Sequence, residues 1–174
     1  MNFNRAVIKV GSALVAPSKN GCSGQYILAI AQFITKCHQQ DKEIILVSSG
    51  GVAAGRSVIR HGSPELSVSM KKAMSSVGQM KMMANWQRFF DVPCSQILIT
   101  QDDLEDRERY ISIKNTIQIQ LENGIIPIVN ENDTVTTEDL KVGDNDNLSA
   151  LVAQVCDADS LFILSDIDGV FTKD

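Results

Sequence analysis

What most constrains this chain is an alternation. Short apolar runs recur along it, and between them apolar residues return at helical spacing. RAVIKV (Arg5–Val10) is rich in β-branched residues and predicts a strand. EIILV (43–47) is nearly all apolar, which suits a strand covered on both faces. CSQILIT (94–100), the run at 125–129 and SLFIL (Ser160–Leu164) give further strands. Ile27, Ile30, Ala31, Ile34 and Cys37 predict a helix, and a short one runs from 52 towards 60. A long helix covers about 66–90, where Met70, Met74, Met80, Met82 and Met83 read as core filler rather than a partner surface. Another spans 107–121 and ends at Asn123 and Gly124. A last helix carries Leu148, Leu151, Val152 and Val155, with Asp144 or Asn145 as its cap. Such a pattern predicts an α/β fold: a three-layer α/β/α sandwich with a mainly parallel central sheet.

Size and charge narrow the function. The 174 residues suit one domain spanning 1–174, able to bury roughly 70% of its unfolded surface. The net charge is −5 and no run of Lys or Arg occurs, so a nucleic-acid partner is disfavoured. An anionic ligand would have to be drawn by a few placed groups rather than by the overall field. Cysteines at 22, 37, 94 and 156 form no CxxC pair. They read as scattered reduced thiols of a cytosolic protein, with no metal site expected. The apolar stretch before Gly11 is too short for a signal-peptide core or a membrane span, so a cytoplasmic protein without membrane contact is expected. No closing helix follows the turn at 165–169, which leads us to expect an incomplete domain.

In open parallel sheets, ligands sit outside the carboxyl ends of the strands. The first strand ends in Lys9, Gly11 and Ser12, and the second in Ser48, Ser49, Gly50 and Gly51. The fourth ends in Asn130, Glu131, Asn132 and Asp133, and the fifth in Ser165, Asp166, Asp168 and Gly169. Lys9 interrupts an apolar strand. A buried lone ammonium needs an anionic partner, whereas an edge-strand lysine could reach solvent, and strand logic leaves both readings open. Gly11 favours a phosphate nearby, because a glycine lets backbone come close to one. Ser48 to Gly51 leads into a helix start with free N–H donors, although an ordinary βα turn has the same composition. Neither GxxxxGK[ST] nor GxGxxG occurs, so a P-loop and a dinucleotide fingerprint are both excluded. The stretch 130–150 is dense in Asn and Asp, and a solvated loop is its plain reading. Asp146 would repel a phosphate unless it pairs with lysines and holds them.

These motifs resemble the amino-acid kinase family and, within it, the glutamate 5-kinases, over essentially the whole chain. The segments that carry the resemblance are VIKVGS (7–12), LVSSGGVAAGR (46–56), DLEDRERY (103–110), IIPIVNENDTV (125–135), KVGDNDNLSALVA (141–153) and ILSDIDGVFT (163–172). Sister kinases share the first strand and the fold but not the NEND and VGDNDNLSA pair. The resemblance implies ATP-dependent phosphorylation of the side-chain carboxylate of L-glutamate, with Mg²⁺, as the first step of proline biosynthesis. It implies that Lys9 contacts the transferring phosphoryl group and that Gly11 and Ser12 form part of a phosphate loop. Ser49, Gly50, Asn130, Asp133 and Asn145 would bind glutamate, and Asp146 would organise catalytic lysines. Ser165 and Asp166 would begin the nucleotide-binding segment. Proline as a feedback inhibitor, a glutamyl phosphate reductase as acceptor of the product, and homo-oligomers are further implications. In the family the domain continues with a second catalytic lysine and most of the adenine pocket, and many members add a PUA domain. The 174 residues are therefore expected to hold the glutamate-binding part and the start of the nucleotide-binding part, without a PUA domain. Two other readings stand beside this one: a sister kinase with another acceptor, and a weakly active or inactive module that binds glutamate or proline.

Overall fold

The computed structural model describes residues 2–17, 21–60, 65–136 and 145–165. Its elements run β1 (Arg5–Val10), α1 (Ser12–Val15), α2 (Ile27–His38), β2 (Glu43–Ser48), α3 (Gly51–Gly55), α4 (Val68–Gln87), β3 (Cys94–Ile99), α5 (Gln101–Glu105), α6 (Arg107–Glu122), β4 (Ile126–Glu131), α7 (Asn145–Val155) and β5 (Ser160–Leu164). The five strands form one sheet in the order β3-β4-β2-β1-β5. Every pairing is parallel. All strand exits therefore lie on one rim, and β1 is an interior strand flanked by β2 and β5.

Side chains alternate across a strand, so each strand feeds two cores. On one face Ala6, Ile8, Ile44, Leu46 and Ile128 pack with Ile27, Ile34, Met82 and Trp86 of α2 and α4. On the other, Val7, Ile45, Val47 and Val129 meet Ile117 and Leu121 of α6 and Leu148, Val152 and Val155 of α7. This is the three-layer sandwich that the alternation predicts.

The differences from the sequence reading are local. β4 runs on to Glu131, so Asn130 belongs to the strand, opposite Leu98 of β3, and not to the loop. Thr100 does not close β3. It caps α5 through a reciprocal capping box with Asp103, and the short helices α1 and α5 have too few residues to show a period. On α4 the methionines divide: Met74 and Met82 are fully buried, while Met80 is 74% exposed and fills no core. Helices α3 and α4 touch backbone to backbone. A Cβ on Gly78 would lie 1.7 Å from the Gly51 carbonyl, and one on Gly55 would lie 1.8 Å from the Met74 carbonyl. Only glycine permits that approach, and it fixes the turn between β2 and α3 against α4.

Candidate active site

Lys9 is 6% exposed, although it carries a charge. Because β1 is interior, the edge-strand explanation fails; a carboxylate meets the ammonium instead. Lys9 Nζ lies 2.5 Å from Asp146 Oδ1, in the first turn of α7. The Asp146 side chain is 53% exposed, so this pair faces the open rim rather than the core. Gly11 stands beside the ammonium: a Cβ there would be 3.7 Å from Lys9 Nζ. Its N–H donates to the Leu164 carbonyl at 3.0 Å and ties the exits of β1 and β5 together. Gly11 thus brings bare backbone next to Lys9, while its own amide is already engaged. Ser12 opens α1 and Ser165 follows β5, both exposed on this rim. Asp166 lies outside the described residues, as do Asp144, Asp168 and Gly169.

One residue along from Asp146, Asn145 joins three elements. Its Nδ2 donates to Ser49 Oγ at 2.8 Å and to Asn130 Oδ1 at 2.7 Å. The exits of β2 and β4 and the start of α7 are thereby linked through one carboxamide. Ser49 is set from below: its N–H donates to the Val10 carbonyl at 3.0 Å. Beneath it, Trp86 Nε1 donates to Ser48 Oγ at 2.9 Å, with Met82 Sδ 3.2 Å from that hydroxyl. Gly50 follows with φ 111°, where a Cβ would also press on Val15 at 3.2 Å, so the turn requires glycine.

Asp133 stands beyond the exit of β4 and takes a hydrogen bond from Ser75 Oγ of α4. Burial pushes its carboxyl above the ordinary carboxylate value, and the Ser75 hydroxyl pulls back part of that shift. A cation from a ligand would relieve the remainder. Lys72, also on α4, donates to the Thr136 carbonyl at 2.7 Å and fastens the loop after Asp133. Gln79 lies one turn beyond Ser75, 6% exposed. Among the described residues its Nε2 has no hydrogen-bond partner.

The structure thus brings Lys9 to Asp146, and Asn145 to Ser49 and Asn130, on one rim. Asp133 is joined to α4 rather than to that triad. Two strand spacings, roughly 10 Å, separate the exits of β4 and β1. Sequence reading missed Ser75, Gln79 and Lys72. The signal available was Gly78: a glycine inside a long helix costs about 1 kcal/mol against alanine and marks a close approach. Among the described residues no His, Cys, Asp and Glu cluster could hold a metal ion, and no helix is long and apolar enough to cross a membrane. The cysteines are free, and burial pushes the thiols of Cys94 and Cys156 up to about 11, which leaves them unreactive.

The model of the amino acid kinase family matches residues 4–174. Over 173 residues, 99% of the chain, it is 55% identical to the glutamate 5-kinase of Idiomarina loihiensis, of which that match covers 47%. Over the same number of residues it is 57% identical to glutamate 5-kinase 1 of Pseudoalteromonas translucida, again covering 47% of the relative. The glutamate 5-kinase of Salinibacter ruber is 53% identical, with 46% of its length matched. The chain therefore spans about half the length of the curated relatives it matches. Among solved structures, the UMP kinase of Bacillus anthracis superposes with a TM-score of 0.63 at 16% identity, covering 100% of this chain and 70% of that one. At that identity the likeness speaks to fold alone.

Proposed function

The chain belongs to the amino acid kinase family, and from that premise we propose that its protein is a glutamate 5-kinase. It would transfer the γ-phosphoryl group of ATP to the side-chain carboxylate of L-glutamate. The observation that carries this reading is the buried Lys9 ammonium, held by Asp146 one residue from the Asn145 that bridges Ser49 and Asn130.

Donor and acceptor are both anions, so bringing them together is the main task; phosphoryl transfer asks the protein for position and charge neutralisation rather than covalent work. A glutamate carboxylate oxygen attacks the γ-phosphorus, the bond to the β,γ-bridging oxygen breaks, and ADP leaves with the electron pair. Lys9 offers its ammonium to the phosphoryl oxygens as charge builds there. Asp146 holds that ammonium on the rim. Asp133, a half-buried carboxylate whose charged form burial disfavours, suits the ammonium of the amino acid. Ser49, Gly50, Asn130 and Asn145 would orient its remaining polar atoms. Gly11, Ser12, Ser165 and Asp166 would take the nucleotide. Mg²⁺ would arrive on the nucleotide, because magnesium commonly rests on phosphate oxygens with only one or two carboxylates, and it adds charge neutralisation there.

The product, L-glutamyl 5-phosphate, is an acyl phosphate that water hydrolyses readily, so a reductase that accepts it promptly fits the chemistry. Proline as an inhibitor at the glutamate site, a cytoplasmic setting and homo-oligomers complete the proposal. The test is ATP-dependent hydroxamate formation by the purified whole protein with L-glutamate, N-acetylglutamate and aspartate. Turnover is expected with L-glutamate and not with the other two. Preference for another acceptor, or glutamate binding without turnover, would overturn it.

A further inference from the structure

Gln79 is the most exacting group on α4. The residue is 6% exposed, and its Nε2 amide has no partner among the described residues. Its Oε1 is only loosely engaged, by Gln96 Nε2 at 3.5 Å. A buried donor left unpaired is costly, so a position that keeps one has a use for it. The surroundings say which. Both Ser75 Oγ and Gln79 Nε2 converge on the bare Cα of Gly51: a Cβ there would lie 2.7 Å from the first and 3.1 Å from the second. Ser75 Oγ is already spent on Asp133. Gln79 Nε2 is the donor that remains, beside the turn that carries Ser49 and Gly50. A neutral donor one helical turn from the serine that holds Asp133 suits a zwitterion, whose ammonium and carboxylate are borne by the same carbon.

Resting on the glutamate reading above, we infer that Gln79 is a specificity-determining residue that donates Nε2–H to the α-carboxylate of the amino acid while Asp133 holds its ammonium. Gln79→Met keeps the length of the side chain and removes the donor, and Gln79→Leu serves if the first variant does not fold. Four readouts are expected in the whole protein. The affinity for L-glutamate, measured by calorimetry, falls roughly 10–100-fold, the scale of a hydrogen bond to a charged group. The KM for ATP stays unchanged. The melting temperature of the ligand-free protein rises, because an unpaired buried donor has been removed. The kcat/KM ratio for L-glutamate over 4-aminobutyrate, which lacks the α-carboxylate, falls by the same factor. Unchanged glutamate affinity, or equal losses for glutamate and 4-aminobutyrate, would overturn the inference and leave the kinase reading intact. A parent protein that binds no glutamate would overturn both.

Discussion

Arg5 and Lys9 are cations on the same strand, one near each end, and the structure treats them differently. Arg5 lies on the rim where the strands begin. Its Nε meets Glu43 Oε2 at 2.6 Å, its Nη1 donates to the Cys156 carbonyl at 2.6 Å, and its Nη2 donates to Gln118 Oε1 at 2.8 Å. The carboxylate of Asp159 takes the backbone N–H groups of Asn4 and Arg5 beside it, which holds that carboxyl below its ordinary value. One guanidinium therefore joins β1, β2, α6 and the end of α7. Lys9 lies on the opposite rim. Among the described residues its ion partner is the single carboxylate of Asp146, itself half open to solvent. An ammonium has three donors. A fold clamp distributes its charge over many fixed partners, whereas a reactive site positions a charge and leaves part of it for a ligand. The contrast between the rims locates the chemistry.

The contrast breaks if the two cations prove interchangeable. Lys9→Met should lower kcat by roughly 10²–10³, the loss of one charge donor in the transition state, with little change in melting temperature. Arg5→Met should do the reverse. It removes partly buried hydrogen bonds, so stability should fall by about 1–3 kcal/mol in a denaturant titration, with turnover per folded molecule nearly unchanged. Trp86→Phe probes the support under the open rim, because it strips Ser48 of the indole N–H beneath Ser49. It should cost about 1 kcal/mol in the same titration and raise the KM for glutamate more than it alters kcat. The smallest effect is a slope. Asp133 binds its proton more tightly in the folded chain than in the unfolded one, because burial disfavours its charged form. Stability should therefore fall as pH rises from the ordinary carboxylate value through the raised one. Asp133→Asn should remove that slope, which melting temperatures across acidic pH will report.

Much of this was legible in the chain. Each strand was announced by its apolar run, while the lysine inside RAVIKV left two readings open, an anionic partner or an edge strand, and only the strand order decides between them. Asp146 read as an acid that needs lysines beside it, without any one lysine being singled out; the structure sets it against Lys9. The boundaries were less legible. Asn130 is polar, and polarity reads as loop, yet its backbone pairs within β4. The α4 contribution was hidden for a different reason. Ser75 and Gln79 are small or polar residues on a long helix, where the default is a solvent face. What turns them inward is the backbone contact of α3 with α4 through Gly51, Gly55 and Gly78, a tertiary event without a local period.

The central claim is that the amino acid is received on the rim where the strands end. Backbone amide shifts of the protein titrated with L-glutamate test it most directly. We predict that Ser49, Asn130, Asp133 and Asn145 move on saturation while Arg5, Glu43 and Asp159 stay in place. Shifts gathered around Arg5, or none at the Asn145 triad in saturating glutamate, would contradict the account.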